Sequence, residues 1–295
     1  MSGLNAARGP RITVIIATFN CASLLPRAIA SFLEQDYEDK ELLIVDGGST
    51  DGTLEVIRAH APSIAWWVSE PDKGIYDAWN KAIPHAGGQW IIFLGSDDTF
   101  WDAHSLRDAA PSLAAAPANV GFAYGRAAMV AEYGRVAYVM GADWPVTSRL
   151  LRHVMAVSHT ATFQRAQAFK GAGAFNPRYK LAGDYELLLR WLTRAGLSGA
   201  FLPLTVVRAQ LGGLSDQQLI LALREMIRAR AELGLPGPAW RLRFEILKRR
   251  SKSLLRRALG EAATRGLARI ARRLRAALTP PAARTATYPE DEPNA

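Results

Sequence analysis

Trp90-Ile91-Ile92-Phe93-Leu94-Gly95-Ser96-Asp97-Asp98 is the stretch whose reading decides the fold. Five consecutive apolar residues read as a strand buried on both faces, as strands of parallel sheets are. Gly95-Ser96 releases the chain, and two adjacent carboxylates emerge where the strand ends. In open α/β sheets, ligands bind beyond the carboxyl ends of the strands. Two carboxylates held together repel unless a cation or a proton sits between them. Hard oxygen ligands suit Mg2+ or Mn2+, ions that usually take further oxygens from substrate phosphates. The pair therefore suggests a metal-bridged nucleotide site. Taken alone, it reads equally as a solvated turn with an aspartate helix cap.

The same pattern recurs upstream. Ile12 to Ala17 is a β-branched run ending in Thr18-Phe19-Asn20, and Leu24 to Leu33 comes next with helical spacing and Ser23 as its expected N-cap. Glu41 to Val45 is the next strand, ending in Asp46-Gly47-Gly48-Ser49-Thr50-Asp51-Gly52, a loop able to bend sharply and approach a ligand. Thr53 to Ala59 reads as a helix and Ile64 to Val68 as a strand, closed by Ser69-Glu70-Pro71-Asp72-Lys73-Gly74; Ile75 to Ile83 is helical again. Strands alternating with helices over short connections predict an α/β fold with a mostly parallel sheet and right-handed crossovers. Polar residues end each strand, namely Asn20, Asp46, Asp72 and Asp97, and aligned strands would gather these along one edge.

The second half is less regular. Phe122 to Met129 and Arg135 to Met140 are expected to form a hairpin around Tyr133-Gly134. Asp184 to Leu197 reads as a helix with Leu187, Leu188 and Trp191 on its apolar face, Phe201 to Arg208 as a strand, and Asp216 to Leu233 as a further helix. Pro236-Gly237-Pro238 breaks the chain and marks the expected boundary between a domain over 1–235 and a basic C-terminal segment. From Arg241 to Arg275 there are thirteen Lys or Arg opposed only by Glu245 and Glu261, with leucines and isoleucines interleaved at helical spacing, which predicts a basic amphipathic segment over 236–279. Residues 280–295 are Pro-rich and polar, and disorder is expected there.

Composition narrows the class. The chain has 295 residues, 49% of them hydrophobic, enough for one large domain and an appendage. No apolar run reaches the length of a membrane helix. Met1 to Pro10 lacks the apolar stretch of a signal peptide, so a cytosolic protein is expected. One cysteine, Cys21, leaves no internal disulfide and no Cys-rich zinc site. The net charge of +9 is concentrated in the C-terminal segment. A basic amphipathic helix suits an anionic membrane surface; no recognised binding module accompanies the charge, so nucleic acid is not an expected partner. There is no Gly-x-x-x-x-Gly-Lys-Ser/Thr loop, no Gly-x-Gly-x-x-Gly after the first strand, no His-Glu-x-x-His and no nucleophile-elbow serine.

Thr13-Val14-Ile15-Ile16-Ala17-Thr18-Phe19-Asn20, then Glu41 through Asp46-Gly47-Gly48-Ser49-Thr50-Asp51-Gly52-Thr53, then Ser96-Asp97-Asp98, resemble family 2 of the nucleotide-sugar glycosyltransferases. The resemblance spans roughly Arg11 to Ser215 and implies the GT-A fold, a Rossmann-like, mostly parallel sheet flanked by helices, here with a basic C-terminal helical extension. Glu70-Pro71-Asp72-Lys73-Gly74-Ile75-Tyr76-Asp77-Ala78-Trp79-Asn80-Lys81 resembles the subgroup that builds bacterial cell-surface polysaccharides and glycolipids. It implies that Ala17, Thr18, Phe19 and Asn20 line the nucleotide pocket and that Asp46 accepts a hydrogen bond from the base. Asp72, Lys73 and Gly74 would sit near the base or phosphates, with Ser96 and Asp97 on the nucleotide. Asp97 and Asp98 would hold Mn2+ or Mg2+ against the diphosphate. Gly95 departs from the common form, standing where many members carry the first Asp.

Gly183-Asp184-Tyr185-Glu186-Leu187 resembles the family's acidic helix-start motif, whose Asp is the expected general base; Asp184 also reads as a plain N-cap. His159 and Gly183 are weaker acceptor-side candidates. Gly213 and Ser215, in Gly212-Gly213-Leu214-Ser215, resemble a loop near the donor phosphates. Trp66-Trp67 reads as core rather than sugar platform, while Tyr76 and Trp79 are placed at the border of the site. The implied function is an inverting, metal-dependent glycosyltransferase moving a sugar from a nucleotide-diphosphate donor, a UDP-sugar, to a saccharide or lipid-linked acceptor. The implied place is the inner face of the bacterial cytoplasmic membrane, held peripherally through 241–275. Two rivals are a sugar nucleotidyltransferase, which lacks its Gly-rich basic loop here, and a catalytically inactive, membrane-tethered binding subunit.

Overall fold

The computed structural model describes residues 9–131, 134–212 and 218–235. The expected boundary at Pro236-Gly237-Pro238, the basic segment, the C-terminal tail, Tyr133, Gly213 and Ser215 lie outside the described residues.

Four parallel strands form one half of the sheet: β1 (Ile12–Thr18), β2 (Lys40–Asp46), β3 (Trp66–Ser69) and β4 (Trp90–Gly95). They are linked by α1 (Leu25–Leu33), α2 (Thr53–Ala59) and α3 (Ile75–Ala82). The other strands are β5 (Thr99–Phe100), β6 (Val120–Val130), β7 (Val136–Met140), β8 (Thr162–Arg165) and β9 (Ser198–Gln210). The order across the sheet is β3-β2-β1-β4-β8-β6-β9-β5, with β7 paired to β6. β8 runs antiparallel between β4 and β6, while β6 and β9 are parallel. The sheet is thus mostly parallel on the amino-terminal side and mixed beyond β4, as a GT-A fold requires.

The period-two pleat splits the apolar runs between two layers. Ile12, Val14, Ile16, Leu42, Ile44, Ile92 and Leu94 pack on one side with α1, α2 and α4 (Ser105–Ala115). Ile15, Leu43, Val45, Ile91 and Phe93 pack on the other with α3, α6 (Ala166–Ala172) and α7 (Gly183–Thr193). α5 (Trp144–Leu151) and α8 (Leu219–Glu232) complete the helices of the described residues. Register levels the strand ends: Thr18 lies opposite Asp46, Asp46 opposite Ser69, and Ala17 opposite Gly95.

The departures from expectation have local causes. α1 starts at Leu25 with no side-chain cap, so Ser23 does not cap it; Pro26 in the first turn supplies the preset φ instead. α7 stops at Thr193 rather than Leu197, because Arg194 and Ala195 both donate back to the Arg190 carbonyl and Gly196 takes a φ of 64°. The β6–β7 hairpin forms as expected. Trp66 stacks on His85 and Trp67 packs against the core, in keeping with a structural role for both.

Candidate active site at the carboxyl edge of the sheet

Three strand ends and their loops interlock at one edge. Asn20, just past β1, holds a φ of 52°, the single non-glycine residue with positive φ among the described residues. Its N–H donates to Ser49 Oγ at 2.7 Å, and its Oδ1 accepts the Thr50 N–H at 3.0 Å. The β1 loop is thereby latched to the β2 loop. A side chain held in this conformation stores strain of a kind that clusters at ligand sites. Phe19 beside it is 60% exposed, an unusual position for a large apolar ring.

Asp46, expected to accept from the base, is held by its own loop. It is fully buried at 0% exposure. Oδ2 accepts the Ser49 N–H at 3.0 Å and the Ser69 hydroxyl at 2.6 Å, and the Ser49 hydroxyl donates to Oδ1. The carboxylate does not face an open pocket. It is the pin that ties the loop after β2 to the end of β3, since a buried carboxylate is tolerated only when it is hydrogen-bonded. Asp72 takes the more open position: its Oδ1 accepts the Gly74 N–H at 2.7 Å, while Oδ2 reaches over Gly47. A Cβ on Gly47 would lie 2.7 Å from Asp72 Oδ2 and 3.3 Å from the Phe19 ring. Gly47 thus lets a ring and a carboxylate approach across bare backbone.

The acid pair lies just past β4. A Cβ on Gly95 would lie 2.8 Å from Asp98 Oδ2 and 2.9 Å from Asp97 Oδ1, so the two carboxylates turn over one point. Asp98 is 6% exposed; its Oδ1 accepts the Gln210 N–H from β9 at 2.9 Å, and the Thr160 side chain also bonds it. Burial, then the Asp97 charge, push the Asp98 carboxyl up to about 7. The Asp97 carbonyl accepts from Arg27 at 2.8 Å, and Ser96 Oγ lies 3.3 Å from Cys21 Sγ, tying this turn to the β1 loop. No group of three or more His, Cys, Asp or Glu gathers anywhere among the described residues. The donor set therefore fits a hard cation that takes its other oxygens from a diphosphate and water, and does not fit a cation enclosed by protein alone.

Asp184 stands in the first turn of α7, not at its cap, which is Ala182. Its Oδ1 accepts the Tyr76 hydroxyl at 3.1 Å and the Tyr185 N–H at 2.8 Å. Burial raises its carboxyl to about 6 against the opposing pull of these hydrogen bonds. Gly183 is required by close approach: a Cβ there would meet three Tyr76 ring carbons between 2.7 and 2.9 Å. Tyr76 in turn meets the Trp79 ring edge-on at 5.4 Å. Trp79 stacks on His159 at 4.7 Å, and His159 precedes the Thr160 that bonds Asp98. A continuous packed path thus joins the base candidate to the acid pair.

His159 is 7% exposed, packed against both Trp79 and Phe93, and bonded through Nε2 to Gln164. Burial lowers its pKa to about 3, so the ring is neutral within this aromatic cluster. Glu225, Ser49, Ser69 and Gln210 are not singled out by sequence. Ser49 and Ser69 sit inside quoted strand-end stretches, but nothing local marks the other two.

The family model for glycosyl transferase family 2 matches residues 13–170. A PGL/p-HBAD biosynthesis glycosyltransferase of Mycobacterium tuberculosis is 31% identical over 212 residues, which are 70% of this chain and 80% of that protein. An uncharacterized glycosyltransferase of the same organism is 30% identical over 183 residues, 61% of this chain and 68% of its own length. The mannosyltransferase PcManGT from Pyrobaculum calidifontis, solved in complex with GDP-Man and Mn2+, aligns with a TM-score of 0.59 at 20% identity, covering 93% of this chain and 82% of that one. TarS 1–349 of S. aureus in complex with UDP-GlcNAc aligns with a TM-score of 0.59 at 18% identity, over 79% of this chain and 69% of that one.

Proposed function

This chain belongs to glycosyl transferase family 2 and is a glycosyltransferase of the GT-A fold, and we propose that it is an inverting enzyme using a UDP-sugar. The acceptor would be a hydroxyl of a saccharide or lipid-linked saccharide in cell-surface polysaccharide or glycolipid synthesis. The observation that carries the reading is one half-buried carboxylate, Asp184, with its pKa raised to about 6, joined by packed rings to a separate acid pair over Gly95.

Inversion needs a single base facing the acceptor and no second nucleophilic carboxylate. The acceptor oxygen attacks the anomeric carbon, the bond from that carbon to the diphosphate breaks, and the acceptor proton passes to Asp184. A carboxyl raised to about 6 is ionised at neutral pH yet basic enough to receive it. Tyr76 and the Tyr185 N–H hold its Oδ1, which leaves Oδ2 for the acceptor. Phe19 and Asp72, brought together over Gly47, would flank the base, with Lys73 and Gly74 beside them; Ala17, Thr18, Asn20 and Ser96 would complete the pocket, and Asp46 would support its floor. Asp97 and Asp98 would hold Mn2+ or Mg2+, which supplies charge neutralisation to the departing diphosphate.

The acceptor half, about residues 101–235, completes a catalytic domain over 1–235. No helix among the described residues is long and apolar enough to cross a membrane. The thirteen Lys and Arg between 241 and 275 support peripheral attachment to an anionic surface at the inner face of the bacterial membrane, each contributing about 1 kcal/mol when close to it. The relative named for PGL/p-HBAD biosynthesis supports a biosynthetic role over that of a binding subunit.

Calorimetric titration of UDP, GDP and dTDP, with and without Mn2+, tests the reading. Manganese-dependent binding of UDP, lost in Asp98→Ala, is expected. Failure of a folded protein to bind any of the three would refute it in favour of a membrane-tethered binding subunit.

A further inference from the structure

α8 supplies a carboxylate to the loop that leads into Asp184. Glu225, 5% exposed, accepts the backbone N–H groups of three consecutive residues: Lys180 at 2.9 and 3.0 Å, Leu181 at 2.8 Å and Ala182 at 3.0 Å. Ala182 is the N-cap of α7, and that helix has no side-chain cap of its own. The first backbone N–H groups of a helix have no partner within it. Here a side chain from another helix, forty-odd residues downstream, takes over that part. The same loop is held on its flanks, where Arg178 and Tyr179 bond Glu232 and Lys180 Nζ donates to the Lys73 carbonyl at 2.7 Å. Those contacts are exposed or half-exposed, whereas Glu225 is buried, so its bonds carry the larger share.

We propose that Glu225 is a positioning residue for the transfer reaction, fixing the backbone of 180–182 so that Asp184 meets the acceptor hydroxyl. The inference rests on the reading of Asp184 as the base. Glu225 touches neither donor nor acceptor; it acts through the loop and through its charge. The groups facing Asp184 are Tyr76 from α3, Tyr185 from α7, and Glu225 from α8, the last with Arg228 at 3.9 Å. Of these Glu225 alone is an anion, and it disfavours ionisation of Asp184.

The test uses the full chain with two variants. Glu225→Gln removes the charge and keeps the volume and one acceptor oxygen. Glu225→Asp keeps the charge and withdraws its reach by one methylene. Backbone amide exchange at 180–182 is expected to rise about tenfold or more in both. The Asp184 carboxyl, followed by 13C NMR with Asp184→Asn for assignment, is expected to titrate lower in Glu225→Gln and near its wild-type midpoint in Glu225→Asp. Nucleoside-diphosphate release, UDP from UDP-glucose or UDP-GlcNAc and GDP from GDP-mannose, with Mn2+ is expected to fall about 10- to 100-fold in kcat for both, with donor KM unchanged. Wild-type exchange and an unmoved midpoint in Glu225→Gln overturn the proposal, as does a loss that appears in donor KM instead of kcat. Wild-type turnover by Asp184→Asn sinks the base reading itself, independently of Glu225. An inactive Asp184→Asn beside a fully active Glu225→Gln and Glu225→Asp sinks only the positioning role.

Discussion

Gly95→Ala gives the sharpest test of the acid pair. The new Cβ would stand 2.8 Å from Asp98 Oδ2 and 2.9 Å from Asp97 Oδ1, inside ordinary contact with both. Asp98 cannot swing away freely, because its Oδ1 is bonded to the Gln210 N–H and the side chain is buried. Overpacking of this kind costs about 1–3 kcal/mol. The loss of backbone freedom in the unfolded chain offsets roughly 0.5–1 kcal/mol of that. A net destabilisation of about 1 kcal/mol lowers Tm by roughly 2–4 °C for a domain of this size. The larger effect falls on the cation, because both carboxylate oxygens must separate. Manganese-dependent UDP affinity is expected to drop about 10- to 100-fold, by analogy with displaced metal ligands, while UDP binding without metal stays as it was. Calorimetry with and without Mn2+, beside thermal melts, reads both effects. Wild-type manganese-dependent affinity in Gly95→Ala would refute the convergence of the two carboxylates on one cation.

Four further outcomes are expected. Asp184→Asn should lose roughly 10²–10⁴-fold in kcat and keep UDP affinity. In the wild type the rate should fall below about pH 6, since the base must be ionised to accept a proton and its carboxyl is raised to about 6; a profile flat down to about pH 5 would contradict this. Tyr76→Phe removes a hydrogen bond that favours the charged carboxylate, so the acid limb should move to higher pH, opposite to the shift in Glu225→Gln. Glu41→Ala at the amino edge strips Arg11, Thr13 and the Gly87 N–H of their shared acceptor and should cost on the order of 3 kcal/mol in denaturant unfolding, with UDP affinity unchanged.

The first half of the catalytic domain is legible because its signals are local. Apolar runs at Val14–Ile16, Leu42–Val45 and Ile91–Leu94 are bounded by polar strand ends and short helical repeats, and the strands form within two residues of the expected ones. Beyond Asp98 the signals weaken. α4 carries Pro111 in its interior, α5 and α6 are single short helices, and β8 is four residues long, so pattern alone marks none of them. The loop residues of the site are found by motif, yet two of their environments are not. Asp46 is sealed by Ser49 and Ser69, and His159 is stacked into a ring cluster, because burial depends on partners that periodicity does not report.

Local periodicity and strand-end chemistry by themselves determined the alternating α/β order, the carboxyl-edge position of Asn20, Asp46, Asp72 and Asp97, and the candidacy of Asp98, while the motif resemblance singled out Asp184. Each of those rests on neighbours a few positions apart. Only the tertiary structure decided that Asp97 and Asp98 converge over Gly95, that Tyr76 reaches Asp184 across 108 positions, and that Glu225 holds the loop before it. Those are meetings between distant segments, created when two helical layers close over one sheet. Their geometry depends on packing and crossing of whole elements, which no window of sequence contains.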